Sequence, residues 1–494
     1  MRCFSRGGAD IPVCPWGQTG MSAPPYDMKN LLAGTLIPGI FALGGIAALA
    51  LWANTGPMVD NLQARVPGLD RPKLTEGEQP RPRQLIGKLT TFDGKPADLP
   101  GSWPHFRGER FDGIGEPGVP LARQWPTTGP EVLWSIELGE GHAGAAVLAG
   151  RVFVLDYDRK ASADALRCFS LADGREIWRF SYPVAIKRNH GMSRTVPAVT
   201  DKYIVALGPK CHVSCLDPAT GKVYWLIDLV QRFGASVPPW YAGQCPLIDA
   251  DRVILAPGGE ALLVALDGKT GDVAWKSPNP RGWTMTHSSI MPMEFAGKRM
   301  FVYCGKGGVA GISADDGSIL WDTTEWKISI ATVPSPVILP EGRIFLSGGY
   351  NTGAMMLQLH DQGGRIAVQT LLKLGPAVFG STQHTPILFD GRLYGVREKD
   401  KQLACLDLDG RVLWSSGSQH RFGLGPYMIA DGLIYAMNDA GLLTLVEAGP
   451  KGYKQLAQAQ VLDGNDSWGP MAMAGGRLIV RDLVRMTCLD VTKK

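Results

Sequence analysis

The chain has 494 residues, 62 of them glycine, with 50 basic against 46 acidic side chains and a formal net charge of +4. That length holds one large core with accessory segments, and the many glycines and short alternating apolar runs suit an all-β domain. The near balance of charge lacks the basic excess of a nucleic-acid binder, so nucleic acid is set aside as a partner.

Residues 1–30 read as a short cytoplasmic segment, followed over 31–53 by a transmembrane helix or signal anchor. Leu31 to Trp52 carries no charge, and a run of that length crosses a bilayer core of roughly 30 Å. Arg2, Arg6 and Lys29 precede it and only Arg65 follows closely. The positive-inside rule then expects a single-pass protein of an inner membrane with everything downstream on the periplasmic side. The competing reading is a cleaved signal peptide starting at Met28, with Ala48-Leu-Ala50 as its cleavage signature. The length of the run favours a retained anchor, and both readings export the chain beyond residue 53. Residues 54–100 carry Pro57, Pro67, Pro72, Pro80, Pro82, Pro96 and Pro100 among charges, the composition of a semi-extended tether. The stretch 101–130 is a leader that caps the domain at 131–494.

From about residue 165 one unit recurs, and Ala265-Leu-Asp-Gly-Lys-Thr-Gly-Asp-Val-Ala-Trp275 is its clearest copy. Gly174, Gly221, Gly271, Gly317 and Gly410 each stand four residues before an aromatic. Each copy is a strand, a tight turn using the positive φ of Gly, and a strand ending in Trp. A second pair of short runs lies upstream of each, so a unit has four strands. Structural docking tryptophans are expected at Trp134, Trp178, Trp225, Trp275, Trp321 and Trp414, with Val368 and Leu456 in the same slot of two weaker copies. The last unit, from Pro470 to Val491, lacks a fourth strand, and Glu131 to Leu138 supplies it with Trp134 to spare. The expected fold is therefore an all-β, eight-bladed β-propeller of four-stranded blades, closed by an N-terminal strand and preceded by one transmembrane helix.

Cys168, Cys215, Cys405 and Cys488 occupy the same third-strand slot of four blades, which makes them small core residues and not disulfide partners. Five of the eight histidines, His142, His190, His287, His384 and His420, fall in connections between blades. Those connections share one face around the axis. Together with Arg194, Asp466 and Trp468 they form the candidate partner or ligand face, and Glu140, Arg188, Trp240 and Trp283 are expected on the same side. Catalytic, cofactor-binding and metal residues are not assigned, since no short metal-ligand motif, nucleophile elbow or phosphate loop is present.

Ala265 to Trp275 matches the docking pattern A-x-D-x-x-T-G-x-x-x-W of quinoprotein dehydrogenases and of the related outer-membrane assembly lipoprotein BamB. The region from about 130 to 494 resembles that superfamily of PQQ-like propellers. Trp103-Pro-His-Phe-Arg-Gly-Glu-Arg-Phe-Asp-Gly113 is similar to the leader of an uncharacterised planctomycete-type branch. The dehydrogenase resemblance implies a quinone between a tryptophan and an adjacent-cysteine disulfide, with calcium on Glu and Asn and an Asp as base. No Cys-Cys pair exists here, and Trp468, Asn465, Asp466 and Glu140 have the right types without aligning to the family's positions. The BamB resemblance implies a non-catalytic scaffold, although neither Cys3 nor Cys14 follows a lipobox. The expectation is a membrane-anchored binding propeller for a protein partner or ligand. The alternative is a PQQ- and calcium-dependent dehydrogenase acting on alcohols or sugars.

Overall fold

A computed structural model describes residues 36–54, 85–188 and 190–494. The chain divides into two units, Met1–Ala64 and Arg65–Lys494. In the first, Ile37–Asn54 is an α-helix of 18 residues that exposes Ile37, Ile40, Phe41, Leu43, Ile46 and Leu49. No helix among the described residues is long and apolar enough to cross a membrane. Residues 31–35 of the expected span, the segment 1–30 and the tether up to residue 84 lie outside the described residues.

The second unit is a β-propeller with eight sheets among the described residues. Its inner strands are Ala145–Leu148, Ala198–Val199, Leu247–Asp249, Met291–Phe295, Val337–Ile338, Ile387–Phe389, Tyr427–Ala430 and Ala472–Ala474. Closure runs through Glu131–Glu137, which pairs antiparallel with Arg485–Asp490 and sets Trp134 opposite Cys488. The same cross-strand pair recurs as Cys168–Trp178, Cys215–Trp225 and Cys405–Trp414. The seven described cysteines are free and buried, so a small side chain in this slot makes room for the indole beside it.

Five of the six docking tryptophans reach into the next blade. The indole N–H of Trp134 donates to the Leu171 carbonyl at 3.0 Å, Trp178 to Pro218 at 3.2 Å, Trp225 to Gly268 at 3.0 Å and Trp275 to Ala314 at 3.3 Å. The repeated Gly is needed for packing as well as for its turn. At Gly221 (φ +73°) a Cβ would sit 2.7 Å from the Trp178 ring, far inside van der Waals contact. Trp321 departs from the pattern, donating to the Met300 sulfur at 3.3 Å in its own blade. The following blade ends in a longer hairpin, Gly353–Gln362 and Arg365–Leu374. That lengthening also corrects a register. The position equivalent to Trp, just after the bulge, is Leu372 opposite Met356 and not Val368, and in the seventh blade it is Ala457 and not Leu456.

A second circumferential device surrounds the axis, in the connections just before the inner strands. Val196 N–H donates to Cys245 Sγ at 3.2 Å, Cys245 N–H to Ser289 Oγ at 3.0 Å, Ser289 N–H to Ser335 Oγ at 2.9 Å and Ser335 N–H to Thr385 Oγ1 at 2.8 Å. Side chains of one blade thus satisfy buried amides of its neighbour, where no ladder partner exists.

The leader does more than lie on the ring. Trp103 bridges Val147 of the first blade, Pro104 accepts from Val199 of the second, and Ile114–Gly115 pairs parallel with Ile429 and Ala430 of the seventh. Arg107, 8% exposed, clamps four carbonyls: its guanidinium donates to Phe111 at 2.9 Å, Asp112 at 2.8 Å, Thr385 at 2.9 Å and Pro386 at 3.1 Å. His105 stacks on Phe111 at 3.8 Å. The motif therefore spans the ring from the first two blades to the sixth and seventh. Within the stretch 54–100 expected as tether, Lys88–Thr91 forms a fifth strand against the outer strand Glu176–Pro183 of the first blade.

Candidate functional site

The connections leading into the inner strands converge on the axis and enclose a cavity of about 490 Å³. Six of the eight residues expected at the candidate face line it: His142, His190, Arg194, His287, His384 and Trp468. Trp240, expected on that side, lines it too. His420 does not; it stacks on Tyr453 at 4.9 Å. Asp466 is also outside the lining, in a left-handed turn (φ 58°) whose carbonyl accepts from Trp468 N–H at 2.7 Å. Trp283 is buried in the core between the third and fourth blades. Glu140 pairs with Arg188.

Three imidazoles are staples between neighbouring connections. His142 Nε2 donates to the His190 carbonyl at 3.0 Å, His287 Nε2 to Tyr241 at 2.9 Å and His384 Nε2 to Leu424 at 3.0 Å. A carbonyl only accepts, so each ring carries a proton on Nε2. Burial pushes His142 down to about 3, with Arg194 and Arg481 adding to the effect. Burial and Arg194 bring His287 to about 4. His384 also falls to about 4, burial outweighing its hydrogen bond to Leu424. Gly243 has a local reason here, because a Cβ at that position would collide with the His287 ring.

The acids of this face are occupied by backbone. Asp439 accepts from Leu424 N–H and from the Trp468 indole, both at 2.7 Å, and so fixes one aromatic wall and the His384 acceptor together. Glu398 accepts from the amides of Tyr350 and Asn351, holding Tyr350 at the rim. Among the described lining residues Arg194 is the one Arg or Lys. Its Nη2 donates to the carbonyls of His190 and Gly191, each at 3.1 Å. Trp240, Trp468, Ile330, Ala331, Val333 and Pro470 supply apolar wall, and Phe106 enters from the leader.

The lining fails as a seat for calcium. A hard dication wants several oxygen ligands with carboxylate charge, whereas this lining offers no carboxylate among the described residues and presents a guanidinium. The one lining thiol, Cys245, is pushed up to about 11 by burial and accepts from Val196.

Sequence reasoning missed Phe106, Ile330, Tyr350, Gln383 and the belt residues Cys245 and Ser289. A signal existed for the belt. Val196-Pro197, Cys245-Pro246, Ser335-Pro336 and Thr385-Pro386 mark the residue that meets the axis, since Pro suits the first position of a strand.

A family model described as outer membrane protein assembly factor BamB matches residues 162–409, half of the chain. The solved structure of BamB from Moraxella catarrhalis is 14% identical, covering 73% of this chain and 99% of its own, with a TM-score of 0.51. At that identity the likeness is one of fold. A europium-containing methanol dehydrogenase, 12% identical over 78% of this chain and 89% of its own, has a TM-score of 0.43. The quinohemoprotein alcohol dehydrogenase of Comamonas testosteroni, 12% identical over 80% and 81%, has one of 0.44. No curated protein sequence matches the chain.

Proposed function

Because the chain belongs to the family described as outer membrane protein assembly factor BamB, we propose that it is a non-catalytic binding propeller whose axial cavity receives part of a protein partner. The observation that carries this reading is the chemistry of the lining. The imidazoles of His142, His287 and His384 are held neutral with their Nε2 donors spent on carbonyls, the thiol is held protonated, and one guanidinium stands among aromatic walls with no carboxylate in the described lining. A volume of about 490 Å³ lies within the roughly 300–1,000 Å³ of ligand pockets. Aromatic residues and Arg are the types that dominate binding energy at interfaces.

The proposal includes residues 31–53 as a single-pass anchor in an inner membrane, with the propeller on its periplasmic side. The uncharged run and the preceding basic residues support it. Intact mass of the mature protein tests this, because loss of everything before residue 51 would mean a cleaved signal.

For the binding reading, a photo-crosslinking amino acid is placed at Ile330, 52% exposed at the rim of the cavity, and separately at Val273, 36% exposed on the third blade. One discrete adduct from position 330 and none from 273 is expected. The same adducts from both positions, or none from 330, overturn it.

A further inference from the structure

The motif from Trp103 to Gly113 grips the inner strands that follow two of the three histidine staples. His142 and His190 lie in the connections into the first and second inner strands, where Trp103 bridges Val147 and the Pro104 carbonyl accepts from Val199 N–H at 2.8 Å. His384 and Leu424 lie in the connections into the sixth and seventh. Arg107 donates to the carbonyls of Thr385 and Pro386, the two residues after His384, and Ile114–Gly115 pairs with Ile429 and Ala430 of the seventh inner strand. The third staple, His287 to Tyr241, differs, since among the described residues no hydrogen bond runs from the leader to the third or fourth blade.

Between the two grips stands Phe106, which lines the cavity itself. Thr385 also accepts from Ser335 N–H at 2.8 Å, so the neighbouring Arg107 fixes the wall where belt and staple meet. This guanidinium is buried, and its hydrogen-bond acceptors are all carbonyls. A buried charge held by dipoles and not by a carboxylate keeps part of its desolvation cost. Further contacts to the leader therefore count in whether it stays docked.

We propose, resting on the reading that the axial cavity receives part of a protein partner, that the leader regulates that cavity. Docked, it presents Phe106 to the partner and holds the His142 and His384 staples in place; its release weakens capture. The coupling is reciprocal, because an element that raises the partner's affinity is itself held more tightly once the partner is bound.

The test uses the full-length protein. A photoreactive azido-phenylalanine in place of Phe106 is expected to give an adduct with the same partner that position 330 captures. Limited trypsin digestion should cut within 101–130 more slowly in the partner adduct from 330 than in the free protein. In Arg107→Met the adduct yield from 330 should fall about fivefold or more at equal folded amount, the size of a modest coupling. Histidine C2–H exchange read by mass spectrometry should then show His142 and His384 rising toward the ordinary value of about 6.5, while His287 stays low. If Arg107→Met does not fold, the adduct from 106 and the trypsin comparison decide alone. A different partner or none from 106, equal trypsin cutting, an unchanged yield from 330 in folded Arg107→Met, or a parallel rise of all three imidazoles overturns the regulation. The discrete wild-type adduct from 330 then leaves the binding reading standing. Its absence defeats that reading, and this inference with it.

Discussion

The histidine staples make the propeller acid-sensitive through a mechanism that one substitution can isolate. His142, His287 and His384 have folded pKa values of about 3, 4 and 4, all depressed chiefly by burial, against about 6.5 in the unfolded chain. Their contribution is therefore complete above about pH 6.5 and is lost as the pH falls toward the folded values, because the unfolded state takes up protons that the folded state refuses. At pH 5 each imidazole costs about 2 kcal/mol relative to pH 8, and the three together cost about 6 kcal/mol. That is comparable to the whole stability of a typical domain, about 5–15 kcal/mol. His287→Gln keeps an N–H able to reach the Tyr241 carbonyl but does not titrate. Urea midpoints measured from pH 8 to 5 should fall less steeply in the variant, the gap between the two curves closing or reversing by about 2 kcal/mol at pH 5. Carboxylates elsewhere affect both proteins alike and cancel in the difference. Parallel curves for wild type and variant, or an imidazole that titrates near 6.5 in the folded protein, would refute the reasoning.

Gly221→Ala should cost roughly 2–3 kcal/mol in urea melts, combining left-handed strain with a clash against Trp178, whereas Gly282→Ala, at φ +63° with open space around it, should cost only about 1 kcal/mol of strain. Arg107→Met strands four carbonyls, those of Thr385 and Pro386 buried and those of Phe111 and Asp112 part-buried, and should cost about 3 kcal/mol, with limited proteolysis now cutting within 101–130; unchanged protection would dismiss the clamp. Asp164 is fully buried, accepts from Tyr182 Oη at 2.6 Å and is raised to about 7, first by burial and then by Asp156. Wild type therefore loses stability as pH rises from about 4 through 7, and Asp164→Asn should gain on it progressively over that window, by roughly 4 kcal/mol at pH 8. A difference between the two that does not change with pH rules this out.

Much of the architecture was legible because it is local. A Gly four residues before a Trp, with a Cys or Ala across the hairpin, fits one turn and one indole, and its repetition implies both the blade and the strand that must close the ring at Trp134. The reading slipped where the hairpin changed length, at Val368 and Leu456, because a fixed spacing cannot register a bulge moved by a longer loop. The candidate face was legible as a set of connections, and six of its eight residues do share one cavity.

What those side chains do there was not legible. His142 meets His190, His287 meets Tyr241, and His384 meets Leu424, each partner some forty or more residues away and brought near only by the closed ring. The route of the leader is likewise a product of assembly, since Arg107 finds carbonyls of the sixth blade that are set in place only once the blades close. The sequence by itself determined the strands, the turns and the number of sheets, because strand period and turn chemistry act over a few residues. The tertiary structure alone decided which connections face the axis, which imidazoles stay neutral and where one guanidinium stands, because burial and the carbonyl opposite a side chain are properties of the assembled ring.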